Sequence, residues 1–259
     1  MSFHSWDLDD LLTRAIGWVR AGAELIGSLS RDALRVEHKG TRNDLVTQVD
    51  REVEALIRSR IGDETGWPVV GEEFDNPDDT TGPCWYLDPI DGTMNFVQTG
   101  RDYAISLALY DGEEPVLAVV LDVVRDECYT AIAGRGAHCN GERLASVDPD
   151  RGLADGIVLT DLKEILALPR LTAAIAESRG HRRYGSAALE CVEVAAGRAG
   201  AFVHLWVSPW DIAAARLICT ECGVRFTRLD ATTLRIGEPG SVLVAPPRTH
   251  QELVSALLR

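Results

Sequence analysis

Apolar residues in the opening stretch recur at helical spacing. Leu8, Leu11, Leu12, Ala15, Ile16, Val19, Ala23 and Ile26 fall on one stripe, which predicts an amphipathic helix. A second stripe, Leu45/Val46, Val49, Val53 and Leu56/Ile57, predicts a helix over 44–61. Asp50 lies inside that stripe, four residues after Val46 and three before Val53. A carboxylate on an apolar face must be paired or bound to something, because burying it alone is costly.

Beyond residue 61 the pattern shortens. Apolar runs at 68–70 and 84–87 predict strands that end at Gly71 and Asp88. Runs at 103–110 and 115–124 predict two more, joined around Asp111-Gly112, and Asn140-Gly141 is a hairpin signal. From Leu153 onward, strands and helices alternate. Strands are expected at 157–160, 201–207, 224–229 and 242–245, and helices at 168–179, 187–196, 210–222 and 250–258. Gly223 is a good stop for the third of these helices. The expectation is a mixed α/β chain of the α+β kind, built in layers. It divides into halves at 1–150 and 151–259. No Pro/Ser-rich linker marks the change, so the halves should pack tightly as one unit.

Bulk properties narrow the partners. A chain of 259 residues with 46% hydrophobic residues can bury a substantial core. A formal net charge of −14 repels nucleic acid and anionic membranes, so neither is expected as a partner. No apolar run approaches the ~18 residues of a membrane span, and the first ten residues hold Asp7, Asp9 and Asp10 without a basic apolar leader. A cytoplasmic location follows as the expectation, and the six cysteines are read as reduced thiols. Cys219 and Cys222 form a C-x-x-C pair, but no second pair or His pair follows to complete a zinc site. Simple helix packing accounts for them.

Three segments carry candidate chemistry. They are Gly71-Glu72-Glu73 at a strand end, Asp88-Pro89-Ile90-Asp91-Gly92-Thr93-Met94-Asn95-Phe96 at another, and Trp210-Asp211 at a helix start. Taken singly, each has an ordinary reading: a solvated strand end, a polar turn, a carboxylate beside a helix dipole. Together they place acids where loops leave regular elements, which is where functional groups are usually displayed. A cluster rich in Asp and Glu, with no His or Cys beside it, suits magnesium rather than zinc or copper.

The ordered set G-E-E, D-P-I-D-G-T-x-N-F and W-D before a helix ending in Gly resembles the inositol monophosphatase family of lithium-sensitive sugar phosphatases. Lys39, Asp44, Leu45, Val46, Thr47 and Asp50 match its K-x4-D-L-V-T-x2-D element, and Gly185-Ser186-Ala187 its G-T/S-A segment. The resemblance spans 39–223. It implies a layered α-β-α-β-α sandwich, a homodimer, and magnesium-dependent hydrolysis of a small phosphorylated metabolite with two or three ions per site. Glu72, Asp88 and the Ile90 carbonyl would hold one ion, and Asp88, Asp91 and Asp211 a second. Glu72 would help hold a weaker third. Most ligands thus lie in the first half, while the second carries Asp211 and the substrate pocket. Thr93, hydrogen-bonded to Asp50, would lie beside the attacking water, and Asp91 and the N–H groups of Gly92 and Thr93 would face the phosphate. Lys39 and Glu73 would shape the local charge.

The alcohol side departs from the pattern. Relatives specific for inositol phosphate carry an acid seven residues before the W-D aspartate, where this chain has His204. Gly185, Ser186, Ala187 and His204 are the candidate substrate contacts. Inositol monophosphate or a related sugar or polyol phosphate is the leading substrate class. Fructose 1,6-bisphosphate, histidinol phosphate, 3′-phosphoadenosine nucleotides and NADP are alternatives within the family. A non-catalytic regulatory binding protein is the alternative outside it, and loss of a ligand carboxylate would mark it. All are present here.

Overall fold

The computed structural model describes residues 6–28, 36–38 and 45–258. Helix α1, Leu8–Ser28, buries Leu11, Ala15, Trp18, Val19, Gly22 and Ile26 along one face. The second helix starts later than its stripe predicts. Val36–His38 (β1) pairs antiparallel with Leu45–Thr47 (β2), and α2 runs Gln48–Glu64. Adjacent apolar residues such as Leu45 and Val46 fit a helical stripe and a short strand equally, and periodicity alone does not separate them. Within α2, Val49, Val53, Ile57 and Ile61 follow at four-residue spacing and are buried. Asp50 and Glu54, each one position further on, are buried with them.

Among the described residues, the larger sheet runs β3 (Val69–Gly71), β4 (Pro83–Asp91), β5 (Ala104–Asp111), β6 (Glu114–Asp122), β7 (Glu127–Ile132), β8 (Ala137–Cys139) and β9 (Glu142–Arg143), in that spatial order. Only β3 and β4 are parallel. Side chains alternate across the sheet with period two. Trp85, Leu87, Ile105, Leu107, Leu109, Leu117, Val119 and Leu121 pack with α1 and α2. Tyr86, Ala104, Ala108, Tyr110, Ala118 and Val120 face the other way. The small side chains of Ala104, Ala108 and Ala118 leave room for two helices, α6 (Ala187–Ala195) and α7 (Pro209–Glu221). Both faces are covered, so these strands read in sequence as nearly continuous apolar runs.

The second sheet lies beyond α6 and α7. Its spatial order is β11 (His181–Arg182), β10 (Val158–Leu159), β12 (Ala201–Val207), β14 (Gly240–Ala245) and β13 (Arg225–Thr227). Strand β10 is parallel to both β11 and β12. Its outer face packs against α5 (Pro169–Glu177) and α8 (Pro247–Leu258). Helix pair, sheet, helix pair, sheet, helix pair is the five-layer α-β-α-β-α sandwich that the resemblance implies. Strand β7 and the six-residue helix α4, Leu162–Ala167, have no counterpart in the sequence-based expectation. Neither has a long enough run to stand out.

The cysteines carry free thiols. Cys219 sits in α7 with its thiol against the Cys191 carbonyl at 3.3 Å, a packing contact. No described helix is long and apolar enough to cross a membrane.

Leu107 is fully buried between the larger sheet and α1–α2. Leu107→Ala should lower unfolding free energy by about 2–5 kcal/mol in urea titrations. A loss below ~1 kcal/mol, the range of a surface change, would contradict that packing.

Candidate active site

Asp88 and Asp91 close strand β4, and their placement depends on a break in its pairing. Asp88 lies opposite Ser106 on β5, and Asp91 opposite Ala104. Three steps along β4 therefore match two along β5, a bulge at Pro89-Ile90. In a regular strand, residues three apart point to opposite faces. The extra residue puts both carboxylates on the side of the sheet that α6 and α7 cover. Pro89 suits this point because it has no N–H to offer a ladder. Asp88 turns back on its own loop, accepting the Ile90 N–H at 3.0 Å.

Gly92 then takes a left-handed conformation, with φ +97°. A Cβ there would meet the Asp102 carbonyl at 3.1 Å and the Gly185 carbonyl at 3.3 Å, so the turn admits only glycine comfortably. The chain leaves it into a short helix, α3, Thr93–Gln98. Thr93 Oγ1 is 3.1 Å from both Asp50 Oδ1 and the Ile90 carbonyl oxygen. The hydroxyl has a single proton to donate between them. Asp50 reaches it from the buried face of α2.

The second half of the chain closes on these residues from the other side. Asp91 Oδ2 accepts the Ser186 hydroxyl and the Ala188 N–H, both at 2.6 Å, and Oδ1 accepts the Ala187 N–H at 3.2 Å. Asp91 thus receives the free N–H groups at the start of α6. Asp211 stands in the first turn of α7, behind Pro209, and accepts the Ser208 N–H at 2.8 Å.

Burial and mutual repulsion govern the electrostatics. Asp88 is pushed well above the carboxylate range by desolvation, then by Glu72, Asp91, Asp211 and Asp50. Asp211 is likewise raised, first by burial and then by Asp91. Asp91 is pushed up to about 6, because burial outweighs the three hydrogen bonds that stabilise its ionised form. Among the described residues, none of the three forms an ion pair with Lys or Arg. Buried acids that raise each other's pKa and lack a cationic side chain are a donor set suited to a hard divalent cation. The fit rests on that chemistry and not on a preformed cage. Among the described residues, no three Asp, Glu, His or Cys side chains already stand in ligating geometry.

The other sequence candidates divide. Glu72 follows β3 and acts on Asp88 electrostatically. Glu73 is turned elsewhere: its carboxylate is 3.8 Å from Arg51, and its N–H donates to Glu54 at 2.9 Å. Lys39 lies outside the described residues. The Gly185 carbonyl approaches Gly92, whereas His204 sits on β12 with Nε2 3.7 Å from Glu164.

Three supporting residues were assigned no role from the sequence, although Asn95 lies within the acidic motif. Glu54, fully buried, pairs with Arg58 at 2.7 Å and holds the Glu73 backbone. Asn95 donates to the carbonyls of Asp102 (2.7 Å) and Tyr184 (2.6 Å), fastening the two halves beside the site. Glu190, pushed up to about 7 by burial, accepts the N–H of Tyr184 at 2.7 Å. For Glu54 and Glu190 the trace in the sequence is an acid at a helical position in an apolar run.

Residues 7–259 match the inositol monophosphatase family. An inositol-1-monophosphatase of Bacillus subtilis is 36% identical over 250 residues, covering 93% of this chain and 94% of that protein. A staphylococcal inositol monophosphatase-1, in an inhibitory complex soaked in 100 mM LiCl, superposes with a TM-score of 0.91 at 27% identity, covering 98% of this chain and 96% of that one. An IMPase/NADP phosphatase complexed with Mg2+ and phosphate gives a TM-score of 0.90 at 27% identity, covering 96% and 95%. This chain belongs to the inositol monophosphatase family and is an enzyme of the phosphoric monoester hydrolase class.

Proposed function

We propose that the protein hydrolyses a small phosphate monoester, inositol monophosphate or a related sugar or polyol phosphate, with magnesium as its cofactor. The observation that carries this reading is the buried group Asp88, Asp91 and Asp211, with raised pKa values, beside the Thr93–Asp50 hydrogen bond. The magnesium and lithium complexes of its structural relatives support the choice of metal. NADP is the second substrate to test, since one of those relatives is an IMPase/NADP phosphatase. A cytoplasmic homodimer belongs to the same proposal.

Asp88, Glu72 and the Ile90 carbonyl would hold one ion, Asp88, Asp91 and Asp211 another, and Glu72 would assist a weaker third. Magnesium, when bound, neutralises phosphate oxygens and brings a water toward ionisation at neutral pH. The chain's own groups do the rest. Asp50 accepts from Thr93 and so fixes where the hydroxyl oxygen points, which orients the attacking water. The N–H groups of Gly92 and Thr93 would face the phosphate, where Gly92 allows close backbone approach. Asn95, in the helix that follows Gly92, donates to the Tyr184 carbonyl and so ties this turn to the second half of the chain.

Three outcomes test this reading. Phosphate release from inositol 1-phosphate should stop on chelation, return with magnesium and fall with added lithium. Activity that survives chelation would contradict the metal assignment, and indifference to lithium only the lithium sensitivity. Asp50→Asn should reduce turnover roughly 10²-fold, on the scale of a general acid–base contribution, with thermal unfolding unchanged. A folded variant of nearly full activity would reduce Asp50 to a structural acceptor.

The third outcome is a pH dependence. Asp91 titrates near 6 in the folded protein, above the ~3.9 of an unperturbed aspartate. Folding therefore favours its protonated form. That stabilisation is full below about pH 4 and is lost as pH rises through about 6. In magnesium-free buffer, Asp91→Asn should gain stability relative to the parent across that window. Magnesium at neutral pH should reverse the order, because only the parent keeps the ligand. A stability difference that is flat with pH would contradict the assignment.

A further inference from the structure

Glu72 follows β3, a strand of three residues at the edge of the larger sheet, paired with β4 alone. So short an edge strand does little by itself to aim the side chain that comes after it. The neighbours of Glu72 are held instead by a row of residues on α2. Asp50, Glu54 and Arg58 stand four apart along one edge of that helix. Asp50 meets Thr93. Glu54 meets the residues on both sides of Glu72.

On the far side, Glu54 Oε2 accepts the Glu73 N–H at 2.9 Å. On the near side, the same carboxylate lies against the backbone of Gly71. A Cβ at Gly71 would come within 2.8 Å of Glu54 Cδ and 3.1 Å of Arg58 Nη2, closer than ordinary van der Waals contact. Gly71 does not adopt a left-handed conformation, so glycine is needed here for space alone. Its N–H donates to Asn76 Oδ1 at 2.8 Å, which holds it from the loop side. For packing, Glu54 is a costly choice. Desolvation raises its pKa, against the Glu73 N–H and Arg58, which favour the ionised form. Arg58 Nε meets Oε1 at 2.7 Å, and the pair adds no net charge beside Asp88. An apolar side chain would cover the same face without desolvating a charge. It could neither accept the Glu73 N–H nor do so while filling the space that Gly71 leaves.

We infer that Glu54 is a positioning residue for Glu72: one buried carboxylate, held by Arg58, fixes Gly71 and Glu73 and so sets the direction in which Glu72 presents its own carboxylate to magnesium. Gly71 belongs to the same device, because a side chain there would displace Glu54. This inference rests on the proposed magnesium site and adds the residues that set its affinity.

The test is magnesium binding to the intact protein by titration calorimetry, alongside thermal unfolding without metal. Glu54→Met combined with Arg58→Met replaces the whole pair with apolar side chains of similar length, a change that often leaves stability intact or improved. Magnesium affinity should nevertheless fall about ten- to a hundredfold, the usual loss when an outer partner of a metal ligand is removed. Gly71→Ala keeps the pair and displaces it, and should weaken binding in the same range. A merely structural pair would shift the unfolding temperature and leave the magnesium Kd where it was. Unchanged affinity in either folded variant overturns the inference, and where the double variant does not fold, Gly71→Ala decides alone. A parent protein that binds no magnesium would fail the proposed function first. A parent that binds it, with variants that bind equally well, fails the inference alone.

Discussion

Negative charge held inside an apolar wall is the constraint on which the rest of the structure turns. Asp88 lies on the sheet face that packs against α6 and α7, and Asp91 and Asp211 act on it from nearby. Burial alone raises all three, and each is made worse by others or held by only a few donors. A fold built for stability would place leucine or alanine here, as it does at Ala104, Ala108 and Ala118 on the same face. The acids are tolerable when a divalent cation takes the place of an arginine or lysine partner.

The scaffold gives that charge its geometry with few devices. One extra residue in β4 brings Asp88 and Asp91 to a common face. One left-handed glycine then lets the Gly185 loop approach within contact distance. Asp91 accepts from the start of α6 and Asn95 from its own short helix donates to the Tyr184 carbonyl, so the two parts of the chain are fastened at the site itself. Asp50 and Glu54 share one edge of α2, yet they serve different neighbours: Asp50 meets Thr93, and Glu54 holds the Glu73 backbone.

Much of this was legible in the sequence because it depends on short-range spacing. The α1 stripe, the runs of β4 to β6 and the start of α7 behind Pro209 are local patterns. Asp50 stood out as an acid in an apolar stripe. What was not legible depends on distant partners. Leu45-Val46 reads as helix until β1 pairs with it. Glu73 reads as part of the acidic cluster until Arg51 and Glu54 turn it aside. The helix that carries the buried Glu164 is only six residues long and has no local pattern to mark it. The bulge at Pro89-Ile90 is invisible without its pairing partner, although the proline hinted at a break.

The most direct test of the account is proton release on magnesium binding. Carboxyl groups with raised pKa values must lose protons before they ligate a cation. Titrating magnesium into the metal-free protein near pH 6, in weakly buffered solution, should release protons in proportion to the metal bound. The release should shrink toward high pH, where Asp91, Asp88 and Asp211 have already ionised. Saturable magnesium binding without proton release at pH 6, or no binding at all, would contradict the claim that these buried acids are a cation site.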